Sequence, residues 1–340
     1  RDQPRSRGLG DVYKRQELRN EKKRRRFSPP SLIRGDVMKK SRKTKKFFKN
    51  GSLHLMMMPA LILLLIYNYI PLAGNIMAFQ KFNPSKGFFH SKWVGLKNFQ
   101  YVFHLPDIYQ VIWNTFYIAI LKIIMGIVIP VIVALLLNEI RKMKFKRTIQ
   151  TMIYFPHFLS WVILAGVFVD VLSPSNGVIG KAFTAMGLEP IFFLGDSKWF
   201  PYTMVLTDTW KEFGYGTIVY LAALTGIDPS LYEAAVMDGA NRWKQTLHVT
   251  LPGILPIVML MSILAMGNIF NAGFDQIFNM YSPQVYSTGD ILDTLVYRIG
   301  MLDAQYGVAT AIGLFKSVIS FAMLGISYMV AYKYTDYRVF

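Results

Sequence analysis

The residues best suited to a function lie in the loop 228–252, where capping residues, small residues and charges follow one another at helical spacing. Asp228 is a good N-cap residue, and Gly239 can end the following helix in a left-handed conformation. Asn241 can cap a second short helix, and Pro252 can begin a longer one. The loop is therefore predicted to be a compact helix–turn–helix that docks on a partner, with an ordinary amphipathic surface loop as the alternative.

A second set of polar residues falls inside segments that are otherwise apolar. Asn268 and Asn271 are three positions apart and would share one face of a helix. Ionisable groups in such segments are costly and usually face a bundle interior. We expect Lys211 and Glu212 to pair with each other inside the bundle. Lys122 and Lys316 are expected either to form structural pairs or to extend toward the membrane interface.

No constellation for catalysis accompanies these residues. The chain has no cysteine, which removes thiolate nucleophiles and cysteine metal sites. No stretch fits the Gly-x4-Gly-Lys-Ser/Thr pattern of a phosphate-binding loop, and the nearest approach, 177–181, has the wrong spacing. The five histidines are scattered, without a His-Glu-x-x-His pattern. The sequence thus argues against an ATPase, an intramembrane protease or a lipid transferase.

Long apolar helices must position these residues. Of the 340 residues, 53% are hydrophobic and 17% are charged, whereas soluble domains are about 25% charged. Crossing about 30 Å of hydrocarbon takes about 20 helical residues. Six segments are long enough, which we number spans 1 to 6: 53–79, 111–137, 149–172, 202–224, 253–274 and 308–332. The predicted fold class is an all-α polytopic membrane protein with six transmembrane helices.

Lysine and arginine near the span ends predict the orientation. Residues 34–49 carry eight of them, and the short loop after span 2 carries five, so both should be cytoplasmic. The loop 228–252 and both termini are then also predicted in the cytoplasm. The remaining loops, 81–110, 173–201 and 275–307, are predicted outside.

The loop 228–252 resembles a known signature, the EAA loop of ABC importer permeases. The matching positions are Glu233, Ala234, Ala235, Gly239, Val249, Leu251 and Pro252. Val249 is the one departure, since the family more often has isoleucine there. The resemblance extends from about Asn114 to the C-terminus as the type-1 permease domain. The first span, with its segments 58–60 and 69–71, is similar to the carbohydrate branch, and more narrowly to permeases for aldouronates and related polysaccharide fragments.

This resemblance implies a type I ABC importer permease fold and a mechanical role in a bacterial plasma membrane. The EAA loop of such permeases is a coupling helix in a groove of a cytoplasmic ATPase, which uses ATP-Mg, while the permease itself binds no cofactor. The implied partners are a second permease subunit in a heterodimer, ATP-binding subunits, an extracytoplasmic solute-binding protein, a sugar and membrane lipids. The implied ATPase-coupling residues are Glu233, Ala234, Ala235, Asp238, Gly239, Leu251 and Pro252.

The same resemblance implies that residues flanking the EAA loop contact the sugar. Amides can hydrogen-bond its hydroxyl groups, and an aromatic face can pack on its ring. The candidates are Asn268, Asn271, Tyr215 and Trp210. Interhelical hydrogen bonding is the alternative role for these residues, and a lysine in the cavity would suit an acidic sugar.

Two other functions stay open at this stage. One is an ABC permease for a solute that is not a sugar. The other is an ion-coupled secondary transporter, which would be expected to show internal repeats with matching helix breaks. The EAA pattern favours the ABC permease, and the predicted cargo is an oligosaccharide, including fragments of acidic polysaccharides.

The N-terminal region is strongly basic, with nineteen Lys and Arg against five Asp and Glu in residues 1–50. It runs directly into span 1, which favours a membrane rather than nucleic acid as its neighbour. Residues 1–37 precede the first methionine and are predicted to lie outside the natural reading frame, or else to form a disordered arm. The predicted domains are the tail 1–52, span 1 with its outer loop 53–110, the type-1 domain 111–333, and the tail 334–340.

A chain that begins at Met38 is therefore expected to insert and transport like the full chain. Seven basic residues remain ahead of span 1: Lys39, Lys40, Arg42, Lys43, Lys45, Lys46 and Lys49. These should hold the N-terminus in the cytoplasm. The measurement is sugar uptake together with the sidedness of a tag at each terminus. An inverted topology or lost uptake would contradict this expectation.

Overall fold

The structure is a computed structural model that describes residues 51–335. Residues 1–50 and 336–340, which hold most of the two predicted tails, lie outside the described residues. The chain divides into two compact units, 1–73 and 74–340, and each is taken by itself below.

The described part of the first unit is helical. Helix α1, Gly51–Leu64, continues into a π-helical turn, Leu65–Tyr69, and into the start of a 3-10 helix, Ile70–Phe79. Pro71 explains the change of winding, because its missing N–H and bulky ring disfavour an α-helical turn. The helical run Leu53–Phe79 confirms the bounds predicted for span 1.

The second unit opens with a small antiparallel hairpin. Strands β1, Gln80–Lys81, and β2, Lys92–Trp93, pair with Gln80 opposite Trp93. The remaining elements, in chain order, are helices: α2 Gly87–His90, α3 Lys97–Phe103, α4 Ile108–Glu139, α5 Met143–Tyr154, α6 Trp161–Leu172, α7 Val178–Ala185, α8 Phe200–Thr225, α9 Pro229–Met237, α10 Arg242–Gln245, α11 Leu251–Met266, α12 Phe274–Met280, α13 Tyr286–Gly289, α14 Leu292–Tyr297 and α15 Tyr306–Thr335.

Within residues 51–335, four helical runs are long and apolar enough to cross a membrane: Leu53–Phe79, Ile108–Glu139, Arg242–Met266 and Tyr306–Val330. Helices α4 and α15 agree with predicted spans 2 and 6 to within a few residues. The count of six spans and the cytoplasmic position of both termini stay predictions.

Helix α8 corresponds to predicted span 4, and it is less apolar because it lies inside the bundle. It packs against α4 along much of its length. Three buried threonines, Thr203, Thr207 and Thr217, donate their hydroxyls to carbonyls one turn back on the same helix. A helix whose neighbours are other helices can carry such side chains, because their hydrogen bonds are satisfied internally.

Span 3 was predicted as one helix over 149–172, and this is wrong. The run Met143–Phe158 and helix α6 meet at a bend of 103°. A 3-10 turn with Pro156 at its second position ends the first part, and the Ser160 side chain caps α6 by accepting from the Ile163 N–H over 3.4 Å. Proline and the cap stop one helix and start another, so the span is broken.

Span 5 was predicted over 253–274, with Pro252 starting its helix. The start is confirmed, since α11 begins at Leu251 with Pro252 in its first turn, but the predicted end is wrong. A helical run extends ahead of α11 to Arg242, and it ends at Met266. A π-helical turn, Thr246–Thr250, lies just ahead of Pro252, which the wider turn accommodates without ending the helix. Consequently Asn268 and Asn271 do not share a helical face, because both lie beyond the end of α11.

Lys122 of α4 holds the chain at this break. Its ammonium group donates to the carbonyl of Ala272 over 2.7 Å, to the Asp208 carboxylate over 3.2 Å, and to the side-chain oxygen of Gln276. Gly273 has φ of 91°, a conformation that favours glycine, and a Cβ there would lie 2.8 Å from the Lys122 Nζ and displace it. Lys122 thus ties the break to α4 and α8.

We expect Lys122→Met to destabilise the protein by about 3–5 kcal/mol, because it leaves a largely buried carboxylate without its partner. The side chains of Lys122 and Asp208 are 9% and 25% exposed. The midpoint of thermal unfolding of the purified chain in detergent measures the effect. The double variant Lys122→Met/Asp208→Leu should recover part of the loss, since no charge is then unpaired. Lys181→Met, at an exposed lysine of α7, is the control. Equal midpoints for Lys122→Met and this control would contradict the role of Lys122.

Candidate functional site

The first candidate site is the EAA loop, whose helix α9 begins as the sequence predicts. The Asp228 carboxylate caps it by accepting from the Ser230 N–H over 2.9 Å, and Pro229 is the first helical residue. This hydrogen bond holds the pKa of the Asp228 carboxyl below its usual range. The cap is therefore fully present above the ordinary pKa of about 3.9, and is lost only as the pH falls through the lowered value.

Helix α9 ends at Gly239 in the predicted left-handed conformation, with φ of 75°. The Gly239 N–H donates to the Val236 carbonyl over 3.0 Å, and the Ala240 N–H donates to the Ala235 carbonyl over 2.9 Å. These two bonds form a Schellman motif, which satisfies carbonyls that the helix end would leave free. The glycine of the EAA pattern therefore has a defined backbone role.

Side-chain contacts fix the loop to the long helices on both sides. Arg242 forms an ion pair with Glu139 at the end of α4, over 2.6 Å. The Tyr232 hydroxyl on α9 lies 3.0 Å from the Thr250 hydroxyl, just ahead of α11. Asn241 caps α10 as predicted, by accepting from the Lys244 N–H over 2.9 Å. The loop is thus attached to α4 and α11 at several points.

The outward surface of the loop is uncovered. None of the nine residues of α9 is buried. Met237 is 88% exposed, Val236 is 59% exposed, and Trp243 in α10 is 68% exposed. Exposed apolar residues concentrated on one short helix are typical of a protein-binding surface.

The seven predicted coupling residues divide into two groups by position. Glu233, Ala234, Asp238 and Gly239 are exposed, and Ala235 is partly buried. Pro252 is also exposed, whereas Leu251 is partly buried and packs against a cluster that includes Tyr220 and Ile254. The geometry suits the exposed residues to contact a partner and Leu251 to position the loop.

The predicted aromatic residues of α8 do not face one cavity. Trp210 and Tyr215 are five residues apart, which places them about 140° apart around the helix axis. Trp210 packs edge-on against Phe168, with ring centres 5.6 Å apart, and Tyr215 stacks on His157 at 4.0 Å. Each is about half exposed. The structure brings neither of them to the two asparagines.

Asn271 lines a cavity of about 650 Å³ in the second unit, and Asn268 lies exposed in the turn just before it. Polar and aromatic groups share this cavity: Asn75, Asp293, Tyr297, Tyr306 and Lys316. Lys316 forms a two-pronged ion pair with Asp293, at 2.5 and 2.7 Å. The structural pairing expected for Lys316 is therefore present, and the pair presents both a donor and an acceptor to the cavity.

Sequence reasoning found one polar cluster only in part. The predicted pair of Lys211 and Glu212 forms at 2.7 Å. The cluster also contains His157, whose Nδ1 lies 2.6 Å from the Glu212 carboxylate and whose carbonyl accepts from Lys211 over 3.0 Å. His157 was missed because it lies at the break of span 3, and Pro156 beside it was the available signal. Asp293, the partner of Lys316, was missed because it lies in a loop predicted outside.

A family model and individual similar proteins both match this chain over most of its length. Residues 126–339 match the family model described as binding-protein-dependent transport system inner membrane component. The LplB protein of Bacillus subtilis is 40% identical over 288 residues, which covers 85% of this chain and 91% of that protein. The polygalacturonan/rhamnogalacturonan transport system permease protein YteP of the same organism is 36% identical, covering 89% of this chain and 94% of that protein.

A solved structure is also similar along nearly its whole length. It is the crystal structure of a bacterial alginate ABC transporter in complex with alginate pentasaccharide-bound periplasmic protein. One of its chains superposes with a TM-score of 0.79 and 34% identity, over 87% of this chain and 99% of that chain. The matched family model spans more than half of the residues, and the exposed EAA loop lies inside it. The chain therefore belongs to the binding-protein-dependent inner membrane components, the membrane-spanning permeases of ABC importers.

Proposed function

We propose that this chain is one permease of a heterodimeric ABC importer that moves oligosaccharides, including fragments of acidic polysaccharides, across the bacterial plasma membrane. The observation that carries the proposal is α9, a capped and exposed helix anchored to α4 and α11. ATP-Mg is bound and hydrolysed by separate cytoplasmic subunits, and α9 docks on them. An extracytoplasmic binding protein delivers the sugar.

The relatives support the choice of cargo. YteP is named for polygalacturonan and rhamnogalacturonan, and the similar solved structure belongs to an alginate transporter. Polygalacturonan and alginate are both polymers of uronic acids, so carboxylated sugars are the cargo class we favour. A non-sugar solute is the alternative within the family, and an ion-coupled transporter would leave the exposed α9 without a role.

The proposed domain organisation follows the sequence: tail 1–52, span 1 and outer loop 53–110, permease domain 111–333, and tail 334–340. We further propose that Asn268 and Asn271 contact sugar at the break after α11, where exposed amides adjoin the cavity of Asn271. Trp210 and Tyr215 remain candidates as half-exposed aromatic surfaces, although they face different directions.

Gly239→Val is expected to abolish transport while the chain still inserts into the membrane. A Cβ at Gly239 would meet nothing within 4 Å, so the effect comes from the left-handed backbone alone. A β-branched residue there costs about 1–3 kcal/mol, whereas Asn tolerates this conformation. Gly239→Asn is therefore the matched control and should keep most transport. Wild-type uptake and wild-type recovery of the ATPase with the Val variant would refute the coupling role.

Asn268→Ala and Asn271→Ala are each expected to weaken sugar-dependent transport about threefold to tenfold, because each removes one hydrogen bond to the cargo. Basal ATP hydrolysis by the assembled complex should stay normal. Asn279→Ala, at an exposed residue of α12, is the control and should leave both activities unchanged. If transport and ATP hydrolysis fell together, the asparagines would have a structural role instead.

A further inference from the structure

A second cavity, of about 570 Å³, lies where the β1–β2 hairpin and α3 meet the start of α15. By the predicted topology this is the extracytoplasmic side. Its lining includes seven polar, charged or aromatic residues: Gln80, Lys81, Lys97, Asn98, Tyr101, Gln305 and Tyr306. We call it the hairpin pocket. It is distinct from the cavity of Asn271, although Tyr306 lines both.

The hairpin pocket is positively charged. Lys81 and Lys97 both line it, and among the described residues no aspartate or glutamate does. In the part of the chain that the structure describes, neither lysine takes part in an ion pair. Both side chains are exposed, and two unpaired ammonium groups on one cavity attract an anion.

Gln80 supplies a second and independent sign of a ligand. It lines the pocket and is only 5% exposed, yet its side-chain Oε1 accepts no hydrogen bond within residues 51–335. Its amide nitrogen is already used, since it donates to the Phe88 carbonyl over 2.9 Å. An acceptor buried without a partner costs about 1–3 kcal/mol, which a donor on a bound molecule would offset.

The walls of the pocket are held in place. The Asn98 side chain donates to the carbonyls of Ala78 and Gln80 over 2.8 and 2.9 Å, which fixes β1. Gly307 lets α15 approach closely, since a Cβ there would lie 2.5 Å from the Gln80 carbonyl. Tyr306 packs edge-on against Phe82, with ring centres 6.0 Å apart. The backbone around the pocket is therefore fixed by these contacts, and the side chains of Lys81 and Lys97 on it are exposed.

We propose that the hairpin pocket binds a uronate residue of the oligosaccharide. The sugar carboxylate interacts with the ammonium groups of Lys81 and Lys97, a sugar hydroxyl donates to the Gln80 Oε1, and an aromatic ring of the pocket packs on the sugar. This inference rests on the proposed function, since it names the charge of the cargo.

Direct binding to the full chain tests the pocket. The chain is placed in nanodiscs of neutral phosphatidylcholine, and calorimetry compares trigalacturonate with its fully methyl-esterified form, which has the same sugars without charge. Trigalacturonate should bind more tightly. Lys81→Gln and Lys97→Gln should each weaken its binding about threefold to tenfold and leave the ester unaffected. Lys92→Gln is the matched control, because Lys92 lies opposite Lys81 in the hairpin but does not line the pocket.

Three outcomes would overturn the proposal. Equal binding of trigalacturonate and its methyl ester would mean that the pocket does not recognise the sugar carboxylates. Equal weakening by Lys92→Gln would mean a diffuse surface attraction. Tighter binding of glycerophosphoglycerol than of trigalacturonate, at the same lysines, would make the pocket a site for a lipid headgroup.

Uptake by the assembled importer separates this inference from the proposed function. If no oligosaccharide is taken up, the proposed function fails whatever the pocket binds. If uptake occurs and the pocket variants keep the wild-type preference for acid over ester, only the pocket assignment fails.

Discussion

The hydrogen bonds that Lys122 donates are the interaction on which the rest of the architecture depends. A membrane interior offers no water to backbone groups, so a helix can break there only where protein groups satisfy the freed carbonyls and amides. At the break after α11, the Lys122 ammonium group donates a hydrogen bond to the freed carbonyl of Ala272. The charge of Lys122 is in turn balanced by the Asp208 carboxylate. The exposed asparagines and the cavity beside them exist because the helix can end at Met266.

The same helix links the two functional regions of the chain. The run Arg242–Met266 begins inside the EAA loop and ends at the break. The 16 residues of this run that form α11 extend about 24 Å, which is less than the about 30 Å of hydrocarbon in a membrane. Because Tyr232 on α9 contacts Thr250, a displacement of α9 by a docked ATPase would be passed to this helix, whereas the exposed pair of Arg242 and Glu139 links the loop to α4 only weakly. Coupling and cargo contact are thereby proposed at opposite ends of one helical run.

The sequence was most informative where local chemistry alone decides the structure. The cap at Asp228, the left-handed turn at Gly239 and the cap at Asn241 were predicted correctly, because each depends on one residue and its nearest neighbours. Helix breaks were predicted poorly. Pro156 lies in the 3-10 turn that ends the run Met143–Phe158, whereas Pro252 lies in the first turn of α11, and a π-helical turn continues the helical run ahead of it. The partners of Lys122 and Lys316 are distant in sequence, so hydropathy could not reveal them.

The most direct test of the account is whether α9 touches the ATP-binding subunit. The chain has no cysteine, so an introduced cysteine is the only thiol of this chain that the label can reach. Met237→Cys, at a site that is 88% exposed, is labelled with a photoactivatable crosslinker in the assembled complex, alongside Val318→Cys on α15, which is 66% exposed. The account predicts an adduct with the ATP-binding subunit from Met237→Cys and none from Val318→Cys. No adduct from Met237→Cys, or equal adducts from both positions, would contradict it.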